Sequence, residues 1–196
     1  MTVSKNLARF ILAAVSKDST RENLTAPCVV DMHGARWLCS TDGHRLHAVW
    51  VPVETPLGWC ALGKGGMAFY GVTREGTFPP LEQVWFPKLD ERAVLVEVSR
   101  LAAISASRHD DMRITFGLDD AEMREPYARY VEDDFEESEV HLSAAYTNDV
   151  LLAVPSGKNA PALVRVARSS DTLDPVMFCE DADVPAWRAI VMPIRK

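Results

Sequence analysis

Cysteine is scarce in this chain, and the surplus of basic charge that a nucleic-acid-coating protein needs is missing. Cys28, Cys39, Cys60 and Cys179 stand far apart, with no Cys-x-x-Cys pair and no histidine at zinc-site spacing. That pattern argues against a redox or metal role and fits ordinary buried thiols in a reduced cytoplasm. The chain also lacks a long apolar run. The stretch 10–15 is among the longest, far below the ~20 residues of a membrane-spanning helix, and no apolar signal segment opens the sequence. The expectation is a soluble, non-exported, cytoplasmic protein with no membrane contact. A net charge of -7 argues against binding nucleic acid over the whole surface, because neutralising phosphates takes clustered Lys and Arg.

What is present is apolar content and a localised acidic stretch. With 196 residues and 47% hydrophobic composition, the chain can bury the core of one large or two small domains. Ten of its 28 acids fall between positions 119 and 139; outside that window 18 acids face 19 of the 21 bases. The surplus is therefore local, and a basic face elsewhere stays open. The stretch 132–139 lacks the alternation and the glycine of a calcium loop and reads as a solvated loop.

Periodicity gives the elements. Leu7, Phe10, Ile11, Ala14 and Val15 recur at helical spacing over 4–17, with Ser4 as N-cap. Three short strands follow over 27–32, 36–41 and 46–53. His33-Gly34 and Asp42-Gly43 supply the turns, the latter read as a type I' hairpin in which both central residues take positive φ. The Pro- and Gly-rich region 54–88 predicts no helix and offers strands near 67–72 and 82–86. A second unit reads as strand 93–97, helix 98–108 with Leu101 and Ile104 inward, and strands 112–118 and 127–131. A third reads as helix 144–154 and strands 162–167, 175–179 and 187–194. One helix followed by three strands thus occurs three times, which implies an α+β array of like units, each laying a helix on a small antiparallel sheet.

Two segments almost a full chain apart carry a more specific signal: Ser40-Thr41-Asp42-Gly43-His44-Arg45-Leu46 and Ile190-Val191-Met192-Pro193-Ile194-Arg195-Lys196. Both resemble the segments that form the partner-peptide pocket of the bacterial DNA sliding clamp, the beta subunit of DNA polymerase III. The resemblance continues in order along the chain. Asp18-Ser19-Thr20-Arg21-Glu22-Asn23-Leu24 is similar to the segment after the first helix of the clamp's central domain. Gly76-Thr77-Phe78-Pro79-Pro80 and Val84-Trp85-Phe86-Pro87 resemble its linker into the C-terminal domain. Ala144-Ala145-Tyr146 and Asp174-Pro175-Val176 resemble that domain's last helix and penultimate strand. The N-terminal domain of the family has no counterpart, so the chain resembles a shortened relative of about one and a half clamp domains. Residues 1–88 would hold a partial clamp domain plus linker, and 89–196 a C-terminal clamp domain.

The resemblance implies a DNA-clamp fold and a non-catalytic replication or repair factor of the processivity type, with no cofactor. Its partner groove would comprise Leu24, Thr41, Gly43, His44, Arg45 and Leu46, with Pro87, Leu173, Pro175, Val191, Met192, Pro193, Ile194 and Arg195. The groove would dock short linear peptides of polymerase, clamp-loader or repair proteins. Met and Pro give adaptable apolar surface, Gly43 allows close backbone approach, and Arg45 or Arg195 orients the peptide. Affinity would be about micromolar, because a short peptide loses its own conformational entropy on docking. Lys196 stands where the family usually has an apolar residue. Clamp helices line a central hole and turn cations to duplex phosphates without reading sequence; the candidates are Lys5, Arg9, Lys17, Arg21, Arg100 and Arg108. A clamp ring displays twelve helices, so three per chain would need a homo-oligomer of four.

Two other classes compete. A monomeric peptide-binding adaptor or regulator would keep the groove without encircling DNA; retention on closed circular but not on linear DNA separates the two. A small hydrolase could draw on Asp42 and His44 as acid and base, and His33, His44 and His47 could be drawn as metal ligands. No nucleophile elbow, phosphate loop or His-Glu-x-x-His accompanies them, so these residues read as structural.

Overall fold

The first helix, α1 (Lys5–Ala13), starts where Ser4 leaves extended backbone and its Oγ accepts the Leu7 N–H at 3.2 Å. The computed structural model describes residues 1–81, 85, 93–98, 101–102, 111–116, 138–154, 163–168, 175–182 and 184–193. Ala8, Phe10 and Ile11 of α1 are buried, while Lys5, Arg9 and Leu12 form its solvent stripe. Full burial of a side chain such as Phe10 or Ile11 contributes on the order of 2 kcal/mol. The expected helix over 4–17 is shorter because the chain turns after Ala13, where the Ser16 N–H donates to the Leu24 carbonyl at 2.9 Å.

Eleven strands follow among the described residues: β1 (Cys28–Met32), β2 (Ala35–Thr41), β3 (Arg45–Val51), β4 (Gly58–Leu62), β5 (Phe69–Gly71), β6 (Ala93–Glu97), β7 (Asp111–Phe116), β8 (Ser138–Ser143), β9 (Leu163–Arg168), β10 (Val176–Glu180) and β11 (Trp187–Val191). A second helix, α2 (Ala144–Val150), lies between β8 and β9, capped by the Ser143 Oγ and prolonged by a 3-10 turn over Leu151–Ala153. Nine strands form one antiparallel sheet in the order β5-β4-β1-β2-β3-β11-β10-β9-β6, and β7 pairs with β8 separately. Its N-terminal half therefore joins its C-terminal half through one pairing, β3 with β11.

Strand alternation gives the sheet two different faces. One packs Val29, Leu38, Val49, Val166, Phe178 and Val191 against α1 and α2. The other carries Cys39, Leu46, Ala48, Met177, Cys179 and Ile190, covered by Phe78, Leu81 and Trp85. The described residues of region 54–88 thus have two uses: β4 and β5 extend the sheet, and Phe78 and Trp85 lay aromatic side chains over the outer face. Arg74 helps to hold the region there, donating to the Glu22 carbonyl and the Thr25 hydroxyl.

Several expectations need correction. Strand β4 lies where the sequence predicts no strand. Strand β8 begins at Ser138, inside the stretch 132–139 that reads as a loop, because pairing with β7 sets Glu139 opposite Thr115. The type I' turn is at His33-Gly34, with φ of 54° and 80°, and not at Asp42-Gly43, where only Gly43 is positive at 91°. The expected strand over 127–131, most of that over 82–86, and most of the helix over 98–108 lie outside the described residues; Val98, Leu101 and Ala102 are helical and Leu101 is buried. No helix among the described residues is long and apolar enough to cross a membrane.

Candidate peptide-docking site

The turn between β2 and β3 is built from its own side chains. Strand register stops at Thr41↔Leu46, leaving four residues between the partners. The Asp42 Oδ1 accepts the N–H groups of His44 at 2.9 Å and Arg45 at 3.1 Å. The Thr41 hydroxyl accepts the Gly43 N–H at 3.0 Å and donates to the Arg45 carbonyl at 2.6 Å. Asp and Thr do this because their short side chains reach neighbouring backbone groups. Gly43 suits its φ of 91°, and a Cβ there would lie 2.6 Å from the Arg21 Nη2 and push that exposed guanidinium aside. Arg21 itself donates to the Asp42 carbonyl at 2.9 Å.

Strand β11 runs alongside this turn. Ile190 is opposite Leu46, Val191 is opposite Arg45, and the Met192 N–H donates to the His44 carbonyl at 2.9 Å. The described start of the C-terminal segment, 190–192, therefore lies beside the turn segment. Leu46 and Ile190 share the outer face with Met177, Leu81 and Trp85. Met192 and Pro193, both half-buried, continue from β11, and buried Pro175 precedes β10, whose Val176 is opposite Val191. Leu24, in a 3-10 turn over Glu22–Leu24, is buried three residues from Arg21.

Not every candidate shares that surface. Val191 points to the helix face, and so does Arg45, which bonds the Ala13 carbonyl and Asp149 on the helices; the His44 ring also turns that way, stacking near Tyr146 of α2 with centroids 6.3 Å apart. Ile190 stands on the Leu46 face without having been a candidate; two-residue alternation from Met192 was the signal that could have found it. Pro87, Leu173, Ile194 and Arg195 lie outside the described residues, as do Arg100 and Arg108 among the cations. Lys5 and Arg9 sit exposed one turn apart on α1. Lys17 is exposed beyond the helix, and Arg21 belongs with the turn.

Behind the turn, three side chains hold the end of α1. The Ser40 hydroxyl donates to the Ile11 carbonyl, the His47 Nδ1–H to the Phe10 carbonyl at 2.6 Å, and Arg45 to the Ala13 carbonyl. These bonds cap the last turn of α1 from the sheet, in addition to the 3.3 Å bond that the Ile11 carbonyl accepts from the Ala14 N–H. His47 is fully buried and stacks on Phe10 with ring centroids 4.1 Å apart. Burial pushes its pKa down to about 3; the bond to Phe10 and the Asp42 charge oppose this shift, and Arg45 adds to it. His33 and His44 stand at turns on opposite ends of β2, so the three histidines do not converge. All four cysteines are free and buried, and burial raises each thiol pKa, to about 11 for Cys28 and Cys179.

A cavity of about 440 Å³ opens elsewhere, at the N-terminus of α1 and the start of β11, lined by Lys5, Asn6, Glu180 and Trp187 among others. Two of its polar side chains have partners in the fold, Ser4 capping α1 and the Glu180 Oε2 accepting the Ala186 N–H at 2.8 Å.

No family model and no curated protein matches the sequence. Solved structures do. The DNA polymerase sliding clamp of Bacillus subtilis superposes with a TM-score of 0.66 at 16% identity, over 98% of this chain and 62% of the clamp. The DNA polymerase III beta subunit of Thermotoga maritima gives 0.63 at 16% identity, over 98% and 63%. The sliding clamp of Bartonella birtlesii, solved bound to griselimycin, gives 0.60 at 18% identity, over 98% and 63%. The chain thus has the sliding-clamp fold along nearly its whole length and spans a little under two thirds of the length of these clamps.

Proposed function

We propose that this chain is a non-catalytic, clamp-like replication or repair factor that holds partner proteins by short peptides docked beside the β2–β3 turn. The groove would be walled by Thr41, Gly43 and the His44 backbone from the turn and by Met192 and Pro193 from the end of β11, with the buried Leu46, Ile190, Leu24 and Pro175 behind. The observation that carries this reading is the junction itself: β3 pairs with β11, and Met192 is tied to His44. Apolar and adaptable side chains meet exposed turn backbone there, which suits an extended peptide anchored by a few side chains. The exposed Lys5 and Arg9 stripe of α1 lies on the helix side of the sheet, the side that would face a duplex if several copies encircled DNA. Peptides of polymerase, clamp-loader or repair proteins are the proposed partners, the cytoplasm the proposed compartment, and the circular-versus-linear retention assay decides between ring and adaptor.

Griselimycin, the ligand of the Bartonella clamp, supplies a probe. Calorimetric titration into the full chain should give saturable binding, and a variant lacking 192–196 should lose it while keeping its circular dichroism spectrum. Equal affinity in both proteins would overturn the groove assignment.

A further inference from the structure

We infer that Arg45 is a positioning residue, which sets the β2–β3 turn against both helices and makes no contact with a docked peptide. The inference rests on the docking reading and deepens it, because the resemblance placed Arg45 in the groove wall. Alternation puts its side chain on the opposite side of β3 from Leu46, where it is 11% exposed. Each of its three nitrogens is engaged by a different element. Nε donates to the Asp42 Oδ2 at 3.1 Å, Nη1 to the Asp149 Oδ2 on α2, and Nη2 to the Ala13 carbonyl at the end of α1. The guanidinium also lies over the Tyr146 ring, 4.4 Å from its centroid.

Asp42 makes this arrangement specific. One of its carboxylate oxygens receives the His44 and Arg45 N–H groups that shape the turn, and the other receives the guanidinium. The same residue therefore folds the turn and ties it to the helices. A planar fork with three partners fixes orientation as well as distance, which a single ammonium cannot do. Asp149, 30% exposed at its side chain, sits on the helix side of the sheet, opposite the face that carries Leu46 and Ile190. It is thus a handle on the turn that a peptide in the groove does not touch. Small displacements of a supporting shell weaken a binding site strongly.

The test uses the full chain with Arg45→Met, Arg45→Lys, Asp149→Asn and the Arg45→Met/Asp149→Asn double variant. Amide hydrogen exchange at His44 and Arg45 and griselimycin affinity are measured for each, at a temperature where circular dichroism shows all of them folded. Positioning predicts faster exchange confined to 42–46 in Arg45→Met and in Asp149→Asn, with amides of β1 and β10 unchanged. It also predicts roughly tenfold weaker binding for each, the double variant being little worse than either because the two residues act as one unit. Arg45→Lys should fall between wild type and Arg45→Met. Weakened binding in Arg45→Met with Asp149→Asn silent in both measurements would overturn the proposal and make Arg45 a direct contact. If the wild-type chain fails to bind griselimycin, the docking reading falls, and the exchange pattern alone decides whether Arg45 sets the turn.

Discussion

The two turns at opposite ends of β2 are made in different ways. His33-Gly34 is a two-residue connection whose backbone angles do the work, supported by one Asp31 carboxylate accepting the Gly34 N–H at 3.1 Å. A Cβ at Gly34 would meet nothing within 4 Å. The turn at 42–45 is held by Thr41, Asp42, Arg21 and Arg45, is tied to both helices and is bonded to the chain after β11. A connector needs only the right φ, whereas a turn that presents a surface needs its orientation fixed. This contrast agrees with the docking surface proposed beside 42–45.

Acid should strain the anchored end most. His47, in β3 just beyond the turn, holds the Phe10 carbonyl in its neutral form, with its pKa lowered to about 3 from 6.5. The unfolded chain therefore binds a proton at a pH where the folded chain does not. Stability from this group is complete above pH 6.5 and is lost as pH falls toward 3, at a slope approaching about 1.4 kcal/mol per pH unit. Urea unfolding across that window should show His47→Gln with a shallower slope than wild type, by about one proton. Equal slopes would mean that His47 does not link the turn's support to pH.

A smaller effect should separate the two glycines. Gly43→Ala forces a side chain into φ 91° and displaces Arg21 from the Asp42 carbonyl, so it should cost about 2 kcal/mol and reduce griselimycin affinity. Gly34→Ala meets open space at φ 80°, and should cost about 1 kcal/mol with affinity unchanged. A parallel loss of affinity in both variants would erase the distinction between the turns.

Much of the architecture was legible in local pattern. Ser4 and the apolar spacing of Leu7, Phe10 and Ile11 mark α1; β1 to β3 and β6 fall within a residue or two of expectation, as do β9 to β11 except for an overlong C-terminal end. The clamp resemblance supplied what periodicity cannot, a relation between segments almost 150 residues apart, and the fold of the solved clamps agrees with it. Strand β4 was hidden because Gly58-Trp59-Cys60 lies among prolines and glycines and owes its conformation to partners on both sides, Cys28↔Trp59 and Cys60↔Gly71. Strand β8 was hidden because its acidic start reads as solvated until β7 is beside it. At the turn, Asp-Gly chemistry pointed to the correct place but the wrong turn type, because the side chains of Thr41 and Asp42 take over the backbone's bonds. The role of Arg45 was beyond reach, since its partner Asp149 is 104 positions away.

The most direct measurement is a backbone-amide NMR titration of the whole chain with griselimycin. The largest shift changes should fall on 41–46 and 190–192 together, on both sides of the β3–β11 junction. Changes confined to β4 and β5 or to the cavity at the start of α1, or none at saturating concentration, would contradict it.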